Sequence, residues 1–141
     1  MTSKTLAGSL MTACILLFTT YVYAAPGSST QASSTAAKGP AVTVYMQGDS
    51  MRFSPATITI HRGQTVEWRN LSSTQTHNVV DDPSLVTNPA DAKLPKGAKP
   101  FSSALLREGS TYEHTFTVPG TYRYACTPHE VDRMVGTIVV K

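Results

Sequence analysis

Short runs in which apolar and polar residues alternate recur from Ala41 onward. Val42, Val44 and Met46 alternate with polar or intermediate residues, as do Ile58 and Ile60. Val66 and Trp68 alternate with Glu67 and Arg69, and Tyr112, His114, Phe116 and Val118 with Glu113, Thr115 and Thr117. A period of two is the signature of a strand with one buried face. Tyr122–Ala125 and Thr137–Val140 read as two further strands. Gly48-Asp49, Arg62-Gly63 and Pro119-Gly120 punctuate the runs as turns. The pattern predicts an all-β antiparallel sandwich, and about 100 residues suffice for its two-sheet core.

Two stretches break the rhythm. Residues 25–40, rich in Ser, Thr, Ala, Gly and Pro, lack apolar periodicity and are expected to form a disordered linker. Residues 81–100 carry four prolines without periodicity. They are expected to be a long loop, either flanking the segment around His77 or forming a surface insertion on a sheet edge.

The N-terminus adds a destination. Lys4 precedes a mostly apolar stretch from Leu6 to Val22, and Val22-Tyr23-Ala24 suits a leader peptidase. Residues 1–24 are therefore expected to be a signal peptide cleaved after Ala24. An uncleaved anchor is the alternative. A lipoprotein site at Cys14 fits less well, because the apolar run Ile15–Phe18 continues beyond it. The expected location is outside the cytoplasm, with the periplasm first. Secretion or a membrane tether are the alternatives.

Charge changes little. The 141 residues hold 12 Lys and Arg against 9 Asp and Glu, and no basic run is long enough to suggest nucleic acid as a partner. Cysteine usage says more. Of two cysteines, Cys14 falls in the leader and Cys126 is left alone in the mature chain. A lone thiol in an oxidising compartment cannot form an internal disulfide, and a metal bond would mask it.

Cys126-Thr127-Pro128-His129 lies five residues before Met134, between two strand-like runs. A tight loop stiffened by Pro128 can aim Cys126 and His129 at one point, and the following strand can return Met134 to it. His77 would have to arrive from a neighbouring strand end. Two imidazoles, one thiolate and one weak axial thioether are a blue-copper electron-transfer ligand set. Zinc would prefer a fourth Cys or His to a thioether. A Cys/His nucleophile would need an orienting group and a substrate pocket, and neither is evident. His61, beside Arg62 on a polar face, is expected to be exposed. His114 is expected to be half-buried and hydrogen-bonded, and neither is expected to be a ligand. An oxidase or nitrite reductase needs further His clusters, which four histidines cannot supply, so no enzyme activity is expected.

CTPHEVDRM resembles the ligand loop of plastocyanin and pseudoazurin. THNVV resembles the segment carrying those families' first His, and FSPATITIHRGQTVEWRN the strand pair ahead of it. The resemblance covers residues 41–141. It implies a Greek-key cupredoxin sandwich binding one type 1 copper ion through His77, Cys126, His129 and Met134. It also implies that Asn78 ties the two ligand loops together near the Cys sulfur. The chain departs from plant plastocyanins in having Ala125 before the Cys and Arg133 nearby, so the plant docking mode is not expected. Residues 81–100 are expected to exceed a minimal plastocyanin. The nearest description is a bacterial or archaeal carrier. It would be a monomer meeting redox partners transiently, such as a cytochrome or an oxidase or reductase, with Pro128 and Met51 as an apolar rim for His129. The alternative is an extracytoplasmic copper-delivery protein.

Overall fold

The computed structural model describes residues 41–48 and 50–141, so the leader and linker expectations lie outside the described residues. Seven strands follow in order: β1 (Val42–Gln47), β2 (Arg52–Ser54), β3 (Thr57–Ile60), β4 (Thr65–Asn70), β5 (Thr111–Thr115), β6 (Gly120–Ala125) and β7 (Val135–Val140). Single 3-10 turns occur at Pro89–Asp91 and Thr127–His129. No helix among the described residues is long and apolar enough to cross a membrane.

The strands form two sheets, β2-β1-β4-β5 and β3-β7-β6, in the expected all-β Greek-key sandwich. The sheets are mixed rather than purely antiparallel. β1 runs parallel to β4 and β3 parallel to β7. Parallel neighbours need a crossover, and β3, lying in the second sheet, is part of the one between β1 and β4. Alternation reports which side chains face inward, not which strand lies alongside. The pattern therefore could not distinguish the two pairings.

Alternation does set the core. Val44, Met46, Val66, Trp68, Ile138 and Phe116 are fully buried. Trp68 is the hub, with ring centroids 5.4 Å from Tyr124, 5.6 Å from Phe101 and 5.7 Å from Tyr112. Such ring pairs contribute about 0.5–1.5 kcal/mol each beyond their area. The short β2 was too brief to show a period, yet it delivers Phe53 edge-on to Tyr124 at 4.7 Å.

Residues 81–100 line the outer edge of β6. Val80 and Ala125 exchange backbone hydrogen bonds of 3.0 and 2.9 Å, and Lys93 and Arg123 exchange bonds of 2.8 and 2.7 Å. Val80, Val86, Ala92 and Ala125 form a small second core there. The segment thus covers an edge strand that would otherwise expose unpaired backbone groups.

Candidate metal centre

β6 ends at Ala125, and Cys126 follows it into the turn Thr127–His129. Pro128 sits in the first turn, where a missing N–H costs nothing. The His129 amide donates to the Cys126 carbonyl at 3.0 Å, and the Met134 amide to the His129 carbonyl at 3.2 Å. The Cys126 amide donates to the Met134 carbonyl at 3.0 Å and closes the loop onto the start of β7. Both ends of the nine-residue segment are therefore fixed. Met134 is fully buried beside Cys126 in this pairing.

His77 comes from the other side. It pairs with Leu106 through backbone bonds of 3.2 and 2.7 Å. The turn leading to it is organised by Asn70, whose amide donates to the carbonyls of Gln75 and Leu106 and whose Oδ1 accepts from Ser72 N. Nothing in the sequence marked Asn70 apart from its place at a strand end, where Asn commonly bonds the local backbone.

The two halves converge. Cys126 Sγ lies 3.5 Å from His77 Nδ1 and 3.3 Å from His129 Nδ1. The three donor atoms all lie within 4.8 Å of one another. His77 and Cys126 are fully buried, and His129 is 8% exposed. A first-row ion bonded to sulfur at about 2.3 Å and to nitrogen at about 2.0 Å would hold such atoms roughly 3.5 Å apart. The constellation therefore fits one ion. Soft sulfur with imidazole suits copper in both common oxidation states.

Burial sets the protonation of the free side chains. Desolvation, helped by the nearby His129, lowers the His77 pKa to about 4, so at neutral pH its ring is an uncharged donor. Burial pushes the Cys126 thiol up to about 11, although backbone amides of Asn78 and His129 partly offset this. Metal binding must therefore displace the thiol proton. The other histidines stand apart. His61 is exposed, and the half-buried ring of His114 stacks on Phe101 at 4.5 Å, held by aromatic contacts.

The plastocyanin/azurin family of copper binding proteins matches residues 40–141. The chain belongs to that family. Plastocyanin of Scenedesmus fuscus is 37% identical over 102 residues, covering 71% of this chain and 99% of that protein. A Cu(I) form of a mutant amicyanin superimposes with TM-score 0.54 at 28% identity, covering 72% of this chain and 82% of that one. A copper-containing nitrite reductase from Thermus scotoductus SA-01 matches with TM-score 0.55 at 30% identity, over 72% of this chain but only 22% of its own. The Scenedesmus alignment spans nearly the whole of that plastocyanin.

Two features of the site were not legible in the motifs. Glu130, directly after His129, accepts hydrogen bonds from the amides of Thr87 and Asn88 at 2.7 and 3.3 Å. Asp91, from the same turn, accepts one from Arg123 at 2.9 Å. Both contacts join residues more than thirty positions apart, which no local pattern reveals. By contrast, Asn78 bonds Thr127 across the two ligand loops, as the family resemblance implied.

Proposed function

We propose that this cupredoxin is a type 1 blue-copper electron carrier in which His77, Cys126, His129 and Met134 hold one copper ion. The observation that carries this is the approach of both imidazole Nδ1 atoms to the single buried thiol. Copper bound there supplies one-electron chemistry between Cu(I) and Cu(II). The chain's own part is to hold the donors and exclude water. His77, Cys126 and Met134 are fully buried, and both loops are closed by backbone bonds, so the donor set is fixed before a metal arrives. Met134, buried beside Cys126, would supply a weak thioether donor to the ion. Burial of this kind favours shuttling over delivery, which needs an accessible exchange site.

His129 is the route to solvent. It alone of the three clustered donors retains exposure, and it follows the exposed Pro128. Val131, 92% exposed, extends the apolar rim. Met51 is half-buried in the β1–β2 turn and contributes less surface. An apolar rim lets a redox partner approach closely through a small interface, as transient encounters require. Residues 41–141 carry this function as a monomer, after an export leader (1–24) that directs the chain to the periplasm and a linker (25–40). No catalysis is assigned. The match to nitrite reductase lies in a fifth of that chain, and the two histidines outside the cluster lie elsewhere.

The test is the visible spectrum and voltammogram of the copper-loaded protein. Intense thiolate-to-copper colour with reversible one-electron behaviour is expected, and Cys126→Ser should abolish the colour while keeping the fold. A colourless Cu(I) protein that resists oxidation would overturn the carrier in favour of delivery. A blue Cys126→Ser variant would overturn the ligand set.

A further inference from the structure

The loop that carries Cys126 and His129 is braced from outside by a closed polar ring. Glu130 Oε2 accepts the Thr87 amide at 2.7 Å and the Asn88 amide at 3.3 Å. Asn88 caps the turn Pro89–Asp91: its Oδ1 accepts from Ala90 N at 3.2 Å, and its Nδ2 donates to Asp91 Oδ2 at 3.0 Å. The other Asp91 oxygen accepts from an Arg123 guanidinium nitrogen at 2.9 Å, in a pair that is largely sheltered on the Asp side. Arg123 lies in β6, three residues before Cys126. Its backbone is held by the reciprocal bonds to Lys93. The circuit runs from Glu130 through the 87–91 turn to Arg123, then along the chain through Cys126 and His129 back to Glu130.

We propose that Glu130 is a positioning residue for His129, and that the 87–91 turn serves as the fixed strut against which it holds the ring. The other restraints on His129 are the turn bonds of its own loop at 3.0 and 3.2 Å, the contact of its ring with Cys126 Sγ at 3.3 Å, and the Asn78–Thr127 pair two residues before it. None of these reaches the 87–91 turn, to which the outer side of the loop is tied through Glu130. A carboxylate accepting two amides from a separate segment adds a support on that outer side, and charged acceptors make the stronger hydrogen bonds. The strut is itself anchored to β6 by Asp91, so the loop and its brace share one foundation. Groups behind a metal ligand commonly alter metal affinity on the order of ten-fold or more when removed.

A purely structural role would loosen the 87–91 turn and leave His129 in place. The two roles are separated by measuring both. In the metal-free protein, Glu130→Ala should raise hydrogen exchange at Thr87 and Asn88 by about ten-fold, the loss of a charge-assisted bond. It should also broaden or shift the His129 ring resonances. Glu130→Gln, which keeps an acceptor oxygen, should restore both, and Asp91→Asn should reproduce part of the His129 change from the far side of the ring. In the copper-loaded protein, Glu130→Ala should speed copper removal by a chelator by about ten-fold and alter the copper EPR signature, while Glu130→Gln stays near wild type. Unchanged exchange at Thr87 and Asn88 would overturn the brace. Raised exchange with unmoved His129 resonances would overturn the positioning role. The copper arm rests on the ligand set proposed above. A wild-type protein that takes no copper would refute that set, while the metal-free arms still decide the role of Glu130.

Discussion

Asn78 and Thr127, 49 residues apart, hydrogen-bond each other twice. Asn78 Nδ2 donates to Thr127 Oγ1 at 2.8 Å, and the Thr127 amide donates to Asn78 Oδ1 at 2.8 Å. Each residue directly follows a clustered donor, Asn78 after His77 and Thr127 after Cys126. The pair therefore sets the spacing of the two halves of the site. Asn78→Ala removes both bonds and leaves a half-buried amide unpaired, at a cost of about 1–3 kcal/mol. A lowered thermal midpoint is expected, together with a shifted thiolate-to-copper band. Asn78→Asp keeps the acceptor for Thr127 N and should be intermediate. A spectrum identical to wild type in the Ala variant would show that the pair stabilises the fold without setting the site.

The donor role proposed for Met134 has a separate test. A harder oxygen donor favours Cu(II), so Met134→Gln should lower the reduction potential. Met134→Leu removes the donor and should raise it. Voltammetry of the two variants decides the point, and equal potentials within error would remove Met134 from the ligand set.

The parts of the fold that sequence revealed are those written locally. Alternation marked β1, β3 and β4, because one face of each strand is buried against the other sheet, and the runs Tyr122–Ala125 and Thr137–Val140 read as strands where β6 and most of β7 lie. The pattern from Tyr112 to Val118 outlasts its strand. β5 stops at Thr115, and Phe116 is buried beyond it by ring packing on Trp68, Phe101 and Tyr122. Cys126, His129 and Met134 were readable because nine residues of chain hold all three. His77 could be named in sequence as the second imidazole, but not how it reaches the loop, since its approach depends on pairing with Leu106. Glu130 and Asp91 look like ordinary surface acids in sequence. Their roles appear only when the 81–100 segment folds back on β6.

Gly136 lies opposite Tyr124 in the β6–β7 pair. A Cβ built on it would overlap the Tyr124 ring. Tyr124 has no room to retreat, because it packs on Phe53 and Trp68. Gly136→Ala should therefore destabilise by about 1–3 kcal/mol, the usual cost of overpacking a tight core. Tyr124 also stands two residues before Cys126, so the variant should shift the copper spectrum as well as the melting temperature. An unchanged melting temperature would mean that the sheet relaxes there.

Asp81 gives a dependence on pH. Its side chain is fully buried at the base of the 81–100 segment. Oδ1 accepts the Phe101 amide at 2.6 Å, and Oδ2 has no partner among the described residues. Desolvation raises its pKa to about 6, with the Phe101 bond opposing and Asp82 adding to the rise. The folded state therefore favours the protonated form. Its stabilising contribution is complete below the unfolded pKa near 3.8 and is lost as pH rises through about 6. The loss is on the order of 3 kcal/mol. His77 works in the opposite sense in the metal-free protein. Its folded pKa is lowered to about 4, so stability recovers as pH rises from there towards the ordinary histidine range. His114, lowered by burial, adds to that recovery. The net curve of the wild type therefore mixes opposing slopes. The difference between wild type and Asp81→Asn cancels the histidines and isolates the carboxylate. Denaturant unfolding of the two metal-free proteins at pH 4, 5, 6 and 7 should show wild type losing stability relative to the variant across that range. The loss should level off above pH 7. A constant difference over the range would mean that Asp81 stays ionised in the fold and that water or an unseen donor satisfies Oδ2.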